Sequence, residues 1–238
     1  MKPLLKKTLI IALFSIAMGY LETSVVVYLR VIYYPKGFCF PIAPINNGIA
    51  FTEILREAAT IIMLYTIGYI SGRNRPERFA WFIYCFGIWD IFYYVFLKAL
   101  LNWPETLFTW DILFLIPVPW IGPVLAPCLV SLLLIVLALF IIYFTEMGKN
   151  AKLKPAEKWL LLIGCLVIIF SFIRDYLMVA GANGNSPKSI ATDKQALFCE
   201  MANYVPQNYP WWLFIIGFAI MTGGIWKYYE RMKKANSP

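Results

Sequence analysis

Residues 109–123 read TWDILFLIPVPWIGP, and they stand inside a stretch, Thr106 to Thr145, apolar for long enough to hold two membrane spans. Whether it holds one or two decides the fold. Pro117, Pro119 and Pro123 break any straight helix through the quoted run, because proline donates no backbone hydrogen bond and its ring clashes with the turn before it. The basic residues around it settle the count. Lys2, Lys6 and Lys7 precede the first apolar run, and Arg73, Arg75 and Arg78 lie between the second and third. Lys149, Lys152, Lys154 and Lys158 lie between the next two, and Lys227, Arg231, Lys233 and Lys234 follow the last. With a single span in the ambiguous stretch, these 14 of the 21 basic residues share one side, as the positive-inside bias of membrane loops requires. A second span there would split them. The sequence therefore predicts six spans, both termini cytoplasmic, and a Pro-rich segment that is re-entrant or interfacial at the outer face.

Composition points the same way. The 238 residues are 61% hydrophobic and 14% charged, with a mean hydropathy of +0.69; a soluble domain holds about 45–50% apolar and about 25% charged residues. The predicted fold class is all-α, a polytopic transmembrane helical bundle forming a single integral membrane domain over 1–238. Its spans are Thr8–Tyr33, Ile49–Ser71, Phe79–Leu101, Gly122–Thr145, Trp159–Ala180 and Trp211–Trp226, with a long outer loop at 181–210. Eight of the nine Trp fall near the predicted interfaces, as amphipathic rings do, and Trp89 is the exception. The N-terminal MKPLLKKTLIIALFSIAMGY has the basic and apolar regions of a secretory signal, but the run continues through SVVVYL, which favours an uncleaved first span.

The net charge of +8 would suggest nucleic acid in a soluble protein. Here loop topology accounts for it, so the expected partner is the lipid bilayer and not a nucleic acid. There is no His, which removes haem and His-based zinc sites, and the five Cys show no CxxC spacing, so no metal site is expected. Cys39 and Cys199 both fall in outer loops, where they either form a disulfide or stand as two free thiols. The stretch 193–205, with apolar residues at helical spacing, is either a lid on the membrane or a solvated connector.

Orientation then gives depth to the charges within and beside the spans. At 1.5 Å per residue, Glu22 lies roughly 20 Å from the inner end of span one. Glu53, Arg56 and Glu57 occupy the first two turns of span two; Asp90 lies near the middle of span three, and Lys98 near its outer end. Arg30 and Asp111 fall at the outer face, and Arg174 and Asp175 in the outer third of span five. All ten lie in the outer half or near mid-membrane. Each costs about 2.5–3.5 kcal/mol at the centre of an isolated helix, and less near the interface, so the cheaper arrangement turns them inward to pair or to line a wet cavity. Within EILRE, spacings of three and four put Glu53, Arg56 and Glu57 on one side of the helix, with Arg174 as the expected further partner.

GYLETSVVVYLR, EILREAAT, RFAWFIYCFGIWDIFYYVFLK and TWDILFLIPVPWIGPVLAP resemble an uncharacterised group of bacterial multi-pass membrane proteins. The likeness covers roughly the first 135 residues. It implies a bacterial cytoplasmic (inner) membrane location and brings no activity with it. The motifs of glutamate-type and aspartyl intramembrane proteases are not matched.

Three functions are compatible with these residues. The leading one is binding or processing of a lipid or lipophilic substrate in an outward-facing charged cavity. Glu57 and Asp90 are its candidate catalytic groups, as general base or as carboxylates for a divalent ion, and Glu22, Glu53, Arg56, Asp111, Arg174 and Asp175 its candidate binding residues. The alternatives are a structural or accessory subunit, in which the charges only pair, and a small ion- or proton-coupled transporter.

Overall fold

The computed structural model describes residues 2–43, 46–116, 118–182 and 205–235. Cys199, and with it the expected pairing to Cys39, lies outside the described residues, as does all but the last residue of the lid candidate. Among the described residues are six helices: α1 (Lys2–Tyr33), α2 (Asn47–Ser71), α3 (Arg75–Leu101), α4 (Leu125–Glu146), α5 (Pro155–Ala182) and α6 (Trp211–Lys234). Five of them, α1 to α5, are long and apolar enough to cross a membrane. The sixth, α6, carries Trp and Tyr among its apolar residues and Lys227 to Lys234 in its last turns, so its apolar window is weaker.

The helix ends follow local chemistry. Asn46 caps α2, its Oδ1 accepting from the Gly48 N–H at 2.8 Å, and Asn74 caps α3, accepting from Glu77 N–H at 3.0 Å, with a proline in the first turn. Asn102 ends α3 in the left-handed region (φ 51°), a conformation that asparagine tolerates better than other residues with a Cβ.

α3 is the hub, packing along α1, α2 and α4, while α5 and α6 form a second close pair that reaches the first group through α4. α1 and α2 both lie on α3 and touch each other little. Close approach between α5 and α6 depends on Gly164 and Gly217. A Cβ at Gly217 would lie 2.9 Å from the Gly164 carbonyl oxygen and 2.8 Å from Ile168. Elsewhere Gly19 abuts the Trp89 carbonyl and Gly224 abuts Leu160, whereas Gly223 faces open space.

The Pro-rich stretch forms an antiparallel β-hairpin, β1 (Trp110–Phe114) and β2 (Trp120–Pro123), with Asp111 opposite Gly122 and an irregularity between Ile112 and Phe114. This amends the all-α expectation. Leu115, Val118 and Ile121 are buried with Ile42 and Ile54, and Ile173 and Leu177 of α5 pack on the same cluster. Beneath lies a larger apolar core around Leu64, Trp81, Tyr84, Leu137, Ile141 and Tyr228.

At the opposite, terminal end of the bundle two further acids are buried. Glu77, with none of its surface exposed, accepts from the Arg73 backbone and guanidinium (both 3.0 Å) and from Trp81 Nε1 (3.3 Å), and pairs with Lys7 at 3.5 Å. Glu157, 1% exposed, accepts from Lys154 N–H at 2.8 Å and holds Arg231 through Nε (2.5 Å) and Nη2 (2.9 Å). Both carboxylates reach back over the start of their own helix; Glu157, whose partner is the N–H just before the helix, makes the carboxylate half of a capping box, and Glu77 reaches one residue further, to Arg73.

Candidate functional site

Seven of the ten charges singled out in the sequence line one cavity of about 130 Å³ at the hairpin end: Glu22, Arg30, Glu53, Arg56, Glu57, Asp90 and Asp111. They come from α1, α2, α3 and β1. The helical periodicity of EILRE presents Glu53, Arg56 and Glu57 to this space, and Thr60, one turn further, joins them. The cavity's other walls are aromatic and aliphatic, with Trp89, Tyr93 and Tyr94 on α3 and Val26, Leu29, Ile42 and Ile49 among the rest.

Two arginines organise the charges differently. Arg56 is held between two carboxylates. It donates to Glu53 through Nε at 2.9 Å and through Nη2, and its Nη1 lies against Glu22, whose other oxygen accepts from Thr60 at 3.2 Å. The α1–α2 gap is thus closed at this depth by charge and not by packing. Arg30 makes a single contact to Asp111, Nη2 to Oδ1 at 3.2 Å, and its guanidinium is stacked on Trp103 (3.7 Å to the ring centroid) and faces Phe38 (4.5 Å). That pins the hairpin to α1.

An arginine fork and a carboxylate can make two parallel hydrogen bonds. The Arg30–Asp111 pair makes one. Arg30 Nη1 and Asp111 Oδ2 are both buried with no hydrogen-bond partner, although the residues are only 7% and 2% exposed; the Tyr94 hydroxyl and the Ile112 amide also act on the Asp111 carboxyl. Trp89 Nε1 is buried and unpaired as well. An unmade bond of this kind costs about 1–3 kcal/mol, more for charged groups. Concentrating them beside a void therefore marks a place where bonding partners arrive from elsewhere.

Glu57 and Asp90 make no ion pair among the described residues. Glu57 is buried and accepts from the Leu115 backbone N–H at 3.0 Å, tying α2 to the hairpin; Asp90 accepts from the Ser131 hydroxyl of α4 at 2.8 Å. Just outside the helices, Tyr34 accepts from Ala43 N–H at 2.7 Å, and burial pushes its hydroxyl above the ordinary tyrosine range, so it stays neutral.

The remaining sequence candidates lie elsewhere. Arg174 and Asp175 are half-buried on α5 and do not line the cavity. Lys98 donates to the carbonyls of Asn102 (3.3 Å) and Pro104 (2.9 Å), closing the end of α3. No group of three or more Cys, Asp or Glu among the described residues is placed to hold a metal ion. Sequence reasoning missed Thr60, which continues the 53–56–57 stripe by one turn and could have been read from it. It also missed the Leu115 amide and Ser131, which carry no such signal.

Comparison with known proteins finds no counterpart: no family model, no curated protein and no solved structure matches this chain. The site's chemistry is therefore read from its own geometry.

Proposed function

We propose that the chain is a six-span protein of the bacterial cytoplasmic membrane, with both termini cytoplasmic, that binds the polar head of an amphiphile in the outer half of the bilayer. The observation that carries this is the half-made Arg30–Asp111 pair, a donor and an acceptor left side by side at a cavity that also holds Glu57 and Asp90, which make no ion pair among the described residues. Large exposed apolar side chains along the helices, among them Leu13, Ile62, Leu166 and Ile215, suit a lipid surround. The exposed Trp159, Trp212 and Trp226 near helix ends suit an interfacial belt.

Size limits the ligand. Drug-sized ligands occupy pockets of about 300–1,000 Å³, and a cavity of about 150 Å³ accepts a molecule the size of benzene. At about 130 Å³ this cavity holds a head group and not a whole lipid. A transporter reading is weaker, because Trp81, Tyr84, Leu64 and Leu137 fill the bundle between the cavity and the terminal end. Glu57 and Asp90 are the groups placed to take a proton from a bound ligand.

The test is the lipid that co-purifies. Protein extracted in mild detergent is expected to retain one amphiphile enriched over bulk lipid, and Asp111→Asn to lose it at unchanged membrane abundance. A retained-lipid profile identical to bulk lipid for both proteins would refute the proposal.

A further inference from the structure

The unpaired groups at the cavity specify more than polarity. Arg30 Nη1 and Trp89 Nε1 are donors, and Asp111 Oδ2 is an acceptor, all buried and all on lining residues. Arg30 Nη1 and Asp111 Oδ2 belong to one ion pair, so a ligand there must present an acceptor and a donor side by side. The charges separate the candidates further. Five carboxylates and two guanidiniums line the cavity. Arg56 serves Glu22 and Glu53, and Arg30 serves Asp111, which leaves Glu57 and Asp90 bonded only to an amide and a hydroxyl. An anionic head group would add its charge to that excess, whereas a head group carrying an ammonium would offset it. A hydroxyl head would satisfy donor and acceptor but leave the excess untouched.

Resting on the amphiphile-binding reading above, we propose that the cavity is a site for the zwitterionic head group of a phospholipid with a primary ammonium. The phosphodiester oxygens accept from Arg30. The ammonium donates to Asp111 and lies against the Glu57 and Asp90 carboxylates. Arg30 suits the first task because its plane is fixed on Trp103 before the ligand arrives, so little freedom is lost on binding. A trimethylammonium group fails the second task, since it carries no N–H to donate to Asp111 Oδ2. The site should thus separate ethanolamine from choline heads.

The experiment is thermal unfolding of the full chain in detergent with soluble short-chain probes. These are dihexanoyl phosphatidylethanolamine, the corresponding choline and glycerol phosphatides, dihexanoylglycerol, and chain-free glycerophosphoethanolamine. The expected result is a rise in Tm of about 5 °C or more with the ethanolamine lipid near a hundredfold excess over Kd, with under a third of that rise for each other probe. Asp111→Asn should erase the difference between ethanolamine and choline. Should that variant fail to fold, Glu57→Gln should at least halve the ethanolamine response, because its Leu115 contact survives the change. A response led by the glycerol phosphatide or by dihexanoylglycerol overturns the head-group assignment while leaving amphiphile binding intact. An equal response to glycerophosphoethanolamine assigns the site to a soluble ligand and overturns the lipid. No response to any probe overturns both readings.

Discussion

The two ends of the bundle both bury carboxylates, and they treat them in opposite ways. At the terminal end Glu77 and Glu157 have their oxygens spoken for by backbone amides, guanidiniums and an indole, and neither lines the cavity. At the hairpin end Asp111 Oδ2 is buried without a hydrogen bond, and Glu57 and Asp90, bonded to an amide and a hydroxyl, make no ion pair among the described residues. Buried charge is common to both regions and so points to nothing by itself. Unfilled bonding capacity beside a void is what separates a site from a clasp.

That contrast can be broken by mutation. The largest effect is expected at Glu77→Ala, which strands the Arg73 amide and Trp81 Nε1 in one step. Unfolding in detergent should show a loss of about 3 kcal/mol, with no change in lipid response. Wild-type stability in this variant would mean that the terminal end is no clasp. Next comes the Glu22–Arg56 pair, which lines the cavity and also holds two helices together. A double-mutant cycle of Glu22→Gln and Arg56→Met should return a coupling of about 1–3 kcal/mol, and additivity would remove it from the architecture. Asp90→Asn keeps the Ser131 contact and discharges a group with no ion-pair partner among the described residues. Its stability should stay within about 1 kcal/mol of wild type while its lipid response drops. Loss of folding without loss of binding would place Asp90 with the clasps. The smallest effect belongs to Glu146→Gln, whose partner Arg73 is 59% exposed at its side chain, so the pair should contribute under about 1 kcal/mol and vanish in salt.

The helices are legible in the sequence because an apolar run of span length has few alternatives. Their observed limits lie within a few residues of the expected ones except at α1, α3, α5 and α6, which extend into the basic flanks. The hairpin is not legible. Strands of five and four residues leave too short a pattern to be told from an irregular dip, and the prolines show only that no helix continues. The grouping of Glu22 with the EILRE carboxylates comes from depth alone. The partner of Glu57 does not: residue chemistry points to Arg174, whereas the structure supplies the Leu115 amide, and nearly every residue has an amide. The terminal-end acids carry a readable signal that the basic loops around them obscure. RPER (75–78) and KPAEK (154–158) each place a proline and then a glutamate in the first turn of a helix, the arrangement that turns a carboxylate back onto the chain before it.

The hairpin bears on the order in which the protein is made. Among the described residues, every one that lines the cavity lies between Glu22 and Leu115. Once the ribosome has passed the hairpin, the chain already holds these parts of the pocket, with Arg30 to meet Asp111 of the first strand and Glu57 to meet Leu115 just after it. The later helices, α4 with Ser131 and α5 with Ile173 and Leu177, support the site from behind. The second half of the chain is thus a buttress raised after the chamber, so changes there should loosen the pocket without altering what it recognises.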